Sequence, residues 1–306
     1  MGKTVGGKRR KKNSSFSWGV AVAGVVIGAA ALAVFLFYVV YPARPPETIV
    51  RPPVLTPKKP VIETPIPAER GGIPMLAIVI DDMGRDMLTL DALFDVGVPI
   101  NVAVLPHLRR SRETAVSVHK AGWDVLLHLP MEPKGSDKND PGRGALWTGM
   151  TPDEVRAQMS LDLDTVPFAV GVNNHMGSKF TEDEPLMKDV LLDIKKRRLF
   201  FLDSRTSANS VAGRIAAEMG VPSVDRNVFL DNERDVVSIK ARIAEAVRVA
   251  KKKGFSVVIG HPYPETIAAL KQTLAGINNK DARIVRLTEA LNVRAAVHER
   301  GAALPR

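Results

Sequence analysis

The sequence of 306 residues contains no cysteine, and aromatic residues make up only 5% of it. Without cysteine, disulfide bonds and thiolate metal sites are excluded, so a bound metal would need oxygen and imidazole ligands. All three aromatic types are nevertheless present, and 45% hydrophobic residues are ample for a sizeable core. One long stretch of the chain, residues 16–41, contains no charged side chain.

The net charge of +10 does not indicate a nucleic-acid partner once it is located along the chain. Six of the excess positive charges lie in the first twelve residues, and residues 42–74 contribute a further +2. Residues 75–306 are therefore left with a net charge of only +2. A domain so close to neutrality lacks the overall basic balance of a nucleic-acid-binding protein, and we expect no such partner.

The uncharged stretch predicts a membrane anchor. From Trp18 to Tyr41 it provides 24 mostly apolar residues, enough to cross a bilayer as a helix, and the basic residues 1–15 should remain in the cytoplasm. A cleaved signal peptide is the competing interpretation, but its apolar core is usually about 7–15 residues long, and no small-residue cleavage site precedes Arg44. We therefore predict a single-pass inner (cytoplasmic) membrane protein, anchored by residues 16–41, with its domain in the periplasm or outside.

Residues 42–74 predict a spacer between the anchor and the domain. They contain ten prolines, a composition that favours an extended, semi-rigid chain over helix or central strand. The prolines have no repeating register, so a partner-binding proline motif is the weaker alternative. A domain held off the membrane in this way can also meet protein partners of the envelope.

From residue 75 onward, short apolar runs alternate with segments of helical periodicity. We predict strands near 75–80, 101–105, 124–129, 169–174, 199–203, 222–228, 255–260 and 284–287. We predict helices near 86–96, 109–121, 152–165, 184–197, 209–219, 235–253 and 264–277. This alternation predicts an α/β fold with a parallel sheet, and seven or eight units favour a closed or partly closed β/α barrel over 75–292, followed by a tail at 293–306. A doubly wound open sheet is the structural alternative.

Polar residues recur where the predicted strands end, which is the edge at which parallel barrels hold their chemistry. They are Asp81, Asp82, His128, Asn173, Asn174, His175, Asp203, Ser204, Asp231 and His261. The adjacent carboxylates Asp81 and Asp82 would perturb each other's pKa strongly unless a cation lay near them. One aspartate and two imidazoles suit zinc, and the second aspartate is then free to act as a base. Taken singly, such a carboxylate is about as often a helix N-cap, and such a histidine often bonds a backbone carbonyl.

Five segments stand in order along the predicted barrel: AIVIDDMG (77–84), HLPMEP (128–133), NNHMGS (173–178), FLDSRTS (201–207) and IGHP (259–262). In this order and spacing they closely resemble the divergent polysaccharide deacetylase family, relatives of carbohydrate esterase family four with its NodB-type domain. The resemblance implies a distorted, partly closed β/α barrel that uses a divalent metal, with zinc as the first choice. The implied reaction is hydrolysis of the N-acetyl groups of a polysaccharide or amino-sugar polymer.

The resemblance also implies roles for individual residues. Asp81 matches the catalytic base, Asp82 a metal ligand and His261 the general acid. The parent His-x-x-x-His pair falls on His128 and Glu132, so that a carboxylate replaces one imidazole.

His175 becomes the substitute ligand beside Asp82 and His128, with Glu132 as an alternative to it. An arginine and proline motif that the parent family has after the fourth strand is replaced here by NNHMGS. We assign the binding and orientation of the substrate to Asn174, Ser178, Asp203, Arg205 and Asp231. Arg205 would either keep Asp81 charged or bind a polymer anion.

A second class of function is a membrane-anchored glycan-binding or scaffold protein of the cell envelope that uses the same pocket without turnover. The anchor and the spacer suit either class. The altered second motif favours the binding protein, whereas Asp81 and His261, which binding alone would not require, favour the enzyme. Acetate release from N-acetylated glycans separates the two.

Overall fold

The computed structural model of the protein describes Gly2 and residues 73–277 and 281–302. The predicted anchor at 16–41 and nearly all of the predicted spacer at 42–74 lie outside these residues. Within the described ranges, no helix is long and apolar enough to span a membrane. The chain divides into two units, and every element below belongs to the second, Thr56–Arg306.

A single parallel sheet forms the centre of this unit. Its strands in the described residues are β1 Met75–Met83, β2 Asn101–Val104, β3 Val125–Met131, β4 Ala169–Met176, β5 Phe200–Asp203, β6 Ser223–Asp225, β7 Val228–Phe229, β8 Phe255–Gly260 and β9 Arg283–Ile284. The order across the sheet is β6-β5-β4-β3-β2-β1-β8-β7, and β9 pairs with the start of β1. Apolar residues buried on both faces of the central strands explain why these segments form a parallel sheet.

The two ends of the sheet lie close together. They are β6 and β7, which only Arg226 and Asn227 separate along the chain. Three residue steps span about 10 Å at most, so the sheet must curl until its ends nearly meet. The predicted partly closed β/α barrel is thereby confirmed, in place of a doubly wound open sheet.

The single strand predicted at 222–228 is wrong, because the chain crosses at this point from one end of the sheet to the other. Arg226 N still bonds Asp203 O of β5 at 3.0 Å, whereas Asn227 N bonds Val257 O of β8 at 2.8 Å. The Asn227 side chain accepts from Val257 N, also at 2.8 Å. We call this two-residue link, Arg226–Asn227, the seam of the barrel.

The side chains of β1 alternate between two buried clusters. Leu76 and Ile78 belong to the larger cluster, which also contains the buried faces of the helices. Ala77 and Val79 belong to the second, together with residues of β5 and β8. Because β5 and β8 are not neighbours in the sheet, these side chains can meet only across its concave face, so the second cluster fills the inside of the barrel.

The helices connect successive strands, except the last helix, which follows β9. They are α1 Leu88–Phe94, α2 Ser111–Lys120, α3 Pro152–Thr165, α4 Glu184–Arg197, α5 Ala212–Met219, α6 Val236–Lys253, α7 Pro264–Leu274 and α8 Leu287–Ala302, with a 3-10 turn at Phe180–Glu182. Helix α3 begins with a capping box, in which Thr151 and Glu154 exchange side-chain to backbone hydrogen bonds. Gly220 and Gly254, at φ of 64° and 80°, end α5 and α6. Helix α8 begins in the predicted barrel segment and continues into the predicted tail.

Candidate active site

Asp81 and Asp82 face the same site because β1 is irregular at its carboxyl end. Neighbouring residues of a regular strand point to opposite faces. Here the pairing register shifts between Ile80 and Met83, and Asp82 has a φ of 58°, in the left-handed region that aspartate tolerates better than most residues. As a result, Asp81 Oδ2 and Asp82 Oδ1 lie 3.6 and 3.2 Å from one nitrogen, His128 Nε2.

Asp82, His128 and His175 form a cluster that could hold a metal ion. Asp82 Oδ1 lies 3.0 Å from His175 Nδ1 and 3.2 Å from His128 Nε2, and the two nitrogens are 3.1 Å apart. Ligand atoms of a tetrahedral zinc ion, each about 2.0–2.1 Å from the metal, are about 3.3 Å apart. Among the described side chains, Asp82 Oδ1 is buried and accepts no hydrogen bond with acceptable geometry. The three residues therefore fit a divalent cation.

Asn173 prepares His128 for this role. His128 Nδ1 lies 3.0 Å from Asn173 Oδ1, and Asn173 Nδ2 donates to Asp81 Oδ1 at 2.9 Å. Because the amide oxygen can only accept, Nδ1 must be the protonated nitrogen of the neutral ring, and Nε2 keeps its lone pair toward Asp82 and His175. One buried amide thus fixes both the tautomer of His128 and the orientation of Asp81.

The electrostatics of this cluster favour an added positive charge. Burial raises the pKa of Asp81. Burial acts in the same direction on Asp82, but the contacts with His128 and His175 outweigh it and hold the pKa of Asp82 well below its usual range. Burial opposes protonation of His128, yet Asp81 and Asp82 raise its pKa above the usual value. Either a proton on an imidazole or a metal cation would compensate the charge of the carboxylates.

His261 directly follows the last residue of β8 and also faces the carboxylates. Its Nδ1 is 3.0 Å from Asp231 Oδ1, and its Nε2 is 3.8 Å from Asp82 Oδ2. Asp231 is buried and also accepts from the backbone N of His261 and from Thr266 Oγ1. Burial lowers the pKa of His261, but Asp231 first, then Asp82 and Asp81, outweigh this and raise it. The ring is therefore held with Nε2 toward the site and in a form that favours the proton.

Glu132 does not join the cluster. One of its oxygens accepts from Thr148 N and Thr148 Oγ1 at 2.7 and 2.6 Å, and the other pairs with Lys179 Nζ at 2.6 Å. Burial opposes ionisation of Glu132, but Lys179 and Thr148 hold its pKa below the usual value. Both oxygens are thus occupied in tying the loop after β3 to the loop after β4, and His175 is the third member of the metal cluster.

The residues that the sequence analysis assigned to the substrate also form hydrogen bonds that shape the rim of the site. Asn174 accepts from Ser204 N and donates to Met176 O, both at 2.8 Å, so it links the ends of β4 and β5. Asp203 is fully buried and accepts from Arg205 N and Ser210 Oγ, both at 2.7 Å.

The other assigned side chains are similarly engaged. Ser178 Oγ accepts from Lys134 N at 3.0 Å. Arg205 lies 3.7 Å from Asp203 and 3.9 Å from Asp225, and neither contact brings it to Asp81. Asp231 orients His261, as described above.

Several residues of the site had no place in the sequence prediction. They are Arg226, Phe229, Arg234, Tyr263 and Thr266, all around His261. Arg226 was hidden inside the predicted strand 222–228. The polar triplet Asp225-Arg226-Asn227 between Val224 and Val228 is the signal that could have revealed the break.

These features define a β/α-barrel protein with a candidate metal centre at the carboxyl edge of its sheet, flanked by a buried carboxylate and an oriented imidazole. The chain belongs to the divergent polysaccharide deacetylase family, whose model matches residues 78–291. This confirms the resemblance seen in the sequence motifs.

Two relatives are similar over most of the barrel. A Haemophilus influenzae protein is 39% identical over 204 residues, which cover 67% of this chain and 71% of the relative. The Escherichia coli protein YibQ is 36% identical over 217 residues, covering 71% of this chain and 67% of YibQ. Among solved structures, the Agrobacterium tumefaciens protein ATU2773 shares the fold with a TM-score of 0.69 at 23% identity, over 77% of this chain and all of that one.

Proposed function

We propose that this protein is a membrane-anchored, metal-dependent hydrolase that removes N-acetyl groups from a polysaccharide of the cell envelope. The observation that supports this most is the cluster of Asp82, His128 and His175 with two further titratable groups within 4 Å of it, Asp81 Oδ2 at 3.6 Å from His128 Nε2 and His261 Nε2 at 3.8 Å from Asp82 Oδ2. A potential base and a potential acid thus lie beside a candidate cation site. Membership of the divergent polysaccharide deacetylase family supports the choice of an N-acetylated glycan as the substrate.

Asp82, His128 and His175 would hold the ion, for which zinc is the first choice because the ligand set is two imidazoles and one carboxylate. When bound, the ion supplies Lewis-acid polarisation of the acetyl carbonyl and acidifies water in the site. Asn173 keeps the lone pair of His128 Nε2 available. The left-handed backbone conformation of Asp82 keeps the Asp82 carboxylate beside that nitrogen.

The protons are moved by the two flanking residues. Asp81 accepts the proton of the attacking water, since Asn173 anchors its Oδ1 while its Oδ2 faces the cluster, 3.6 Å from His128 Nε2. His261 Nε2 donates a proton to the amine nitrogen as the amide C–N bond breaks, which leaves acetate and a free amino sugar. Asp231 stabilises the charged imidazole and holds it in place.

The location of the domain belongs to the same proposal. A 16–41 anchor with a basic cytoplasmic flank, followed by the 42–74 spacer, would hold the barrel in the periplasm or outside, where envelope glycans occur. Exposure of the domain to a protease added to spheroplasts tests this orientation. A barrel protected until the membrane is lysed would contradict it.

The enzymatic proposal is tested by acetate release from a panel of N-acetylated glycans, using the full chain loaded with zinc. His261→Gln should reduce kcat by about 100-fold or more, because it removes the proton donor. The matched control is His119→Gln, since His119 is exposed on α2, and this variant should retain activity.

The metal role would be contradicted if acetate release continued after chelation while metal analysis showed that the site was empty. Retention of the chain on a glycan with no acetate release from any member of the panel would favour the alternative, a glycan-binding protein of the envelope.

A further inference from the structure

The seam of the barrel brings a guanidinium group to the edge of the site. Arg226 Nε donates to Ser204 O at 2.7 Å and its Nη2 donates to Arg205 O at 3.1 Å. The same guanidinium lies over the ring of Phe229, 4.9 Å from its centroid. Backbone oxygens and an aromatic face therefore fix this side chain in one place, and its Nη1 donates to none of the described residues.

A second arginine is held against another aromatic ring near His261. Arg234 lies 3.8 Å above the ring of Tyr263 and donates to the Tyr263 hydroxyl at 2.7 Å. The rings of Phe229 and Tyr263 lie 5.3 and 5.4 Å from the ring of His261. The candidate proton donor thus has two aromatic rings beside it, and a guanidinium lies over each ring.

Neither guanidinium forms an ion pair with a carboxylate among the described residues. The neighbouring Arg205, by contrast, lies within 4 Å of two carboxylates. Burial lowers the pKa of Arg226 despite the opposing effect of Asp203 and Asp81, so this cation is partly desolvated without a close counter-ion. A fixed, partly dry guanidinium with a free N–H edge is well suited to a planar oxyanion.

We propose that Arg226 and Arg234 bind an anionic group, a carboxylate or a phosphate, on the sugar at or next to the acetamide being hydrolysed. The natural substrate would then be an acidic N-acetylated glycan and not a neutral one. This inference rests on the proposed deacetylase function and adds the charge of the substrate to it. The rings of Phe229 and Tyr263 would supply flat apolar faces for the sugar, while the two guanidinium groups select for charge.

The test compares three tetrasaccharides of one length. The first is neutral N-acetylchitotetraose, the second carries lactyl ether carboxylates on alternate sugars, and the third carries a phosphate ester. For each, kcat/KM for acetate release and Kd by calorimetry are measured with the zinc-loaded full chain. The variants are Arg226→Gln and Arg234→Gln, and Arg242→Gln is the matched control, because Arg242 is exposed on α6 and paired with Glu245.

Wild-type protein should prefer at least one anionic tetrasaccharide over the neutral one by about 10- to 100-fold, the range expected for a charge-assisted hydrogen bond. Arg226→Gln should reduce this ratio to near one, Arg234→Gln should reduce it several-fold, and Arg242→Gln should leave it unchanged. The second and third tetrasaccharides tell carboxylate from phosphate. Added salt should weaken the preference, most clearly in the contribution of the exposed Arg234.

A wild-type ratio near one, or a ratio that both arginine variants preserve, would overturn the proposal. If Arg226→Gln fails to fold, the exposed Arg234→Gln still gives a decisive ratio. If no tetrasaccharide releases acetate, the deacetylase function fails, but the Kd ratio still decides whether the arginines select an anion. Acetate release without charge preference would refute the arginine role alone.

Discussion

Replacing Asp82 by asparagine should remove most of the stabilisation that we expect zinc to give to the protein. The substitution keeps the shape of the side chain, and asparagine also tolerates the left-handed φ of 58° at this position. It removes the only carboxylate from the cluster of Asp82, His128 and His175. A change to an outer partner of a metal ligand already costs about 10- to 100-fold in affinity, so loss of a charged ligand should cost about 100-fold or more.

The size of the effect follows from mass action. Zinc at about 100 times the wild-type Kd stabilises the folded state by about 2.7 kcal/mol, and a 100-fold weaker site leaves about 0.4 kcal/mol. For a domain of this size, 1 kcal/mol corresponds to about 2–4 °C in Tm. Zinc should therefore raise the Tm of the wild type by about 5–11 °C and that of Asp82→Asn by about 1–2 °C.

The assay is thermal unfolding of the full chain with and without zinc, combined with calorimetric titration of the metal. Asp91→Asn is the matched control, because Asp91 is exposed on α1 and outside the cluster. Equal zinc shifts in the wild type and Asp82→Asn would show that the metal binds elsewhere. The absence of any shift in the wild type, together with no titrated heat, would remove the metal site altogether.

Three further substitutions test the surroundings of the site. Asp231→Asn should lower kcat by about 100-fold or more with little change in KM, because it takes the carboxylate from His261 Nδ1 and disturbs the tautomer; steady-state acetate release measures both constants. Gly177→Ala should lower stability by about 2–4 kcal/mol in urea unfolding, since its φ is 83° and an added Cβ would lie 2.8 Å from Met131 Cβ. Burial raises the pKa of Asp162 to about 6, so the folded state holds this proton more tightly than the unfolded state. Stability from this group is therefore present at low pH and is lost as the pH rises from about 4 through 6, and Asp162→Asn should abolish that part of the pH dependence in unfolding curves.

The elements of the barrel could be predicted from sequence because their signals are local. The apolar run Leu76 to Ile80 is buried on both faces, and this follows from composition alone. The capping box at Thr151 likewise needs only neighbouring residues. The grouping of Asp82, His128 and His175 could be expected as well, because the carboxyl ends of parallel strands share one edge.

What sequence could not supply depends on partners far along the chain. Glu132 could be expected to bind a metal from sequence, but its carboxylate pairs with Lys179, which is 47 residues away along the chain. Asn174 looked available for substrate until its amide was found between Ser204 and Met176. Polar side chains at a strand end can face the ligand or brace the rim, and only the three-dimensional contacts distinguish these uses.

The seam shows how one short segment can serve the fold and the site through separate residues. Asn227 Oδ1 accepts from Val257 N and so replaces a missing strand pairing at the edge of β8, whereas Arg226 turns toward Phe229 and the site. Asn227→Ala should leave a buried N–H without its partner and cost about 1–3 kcal/mol in urea unfolding. It should leave the preference for anionic glycans intact, whereas Arg226→Gln should abolish that preference. If both substitutions changed stability and preference together, the two residues would act as a unit, and the guanidinium would have to be considered part of the barrel closure.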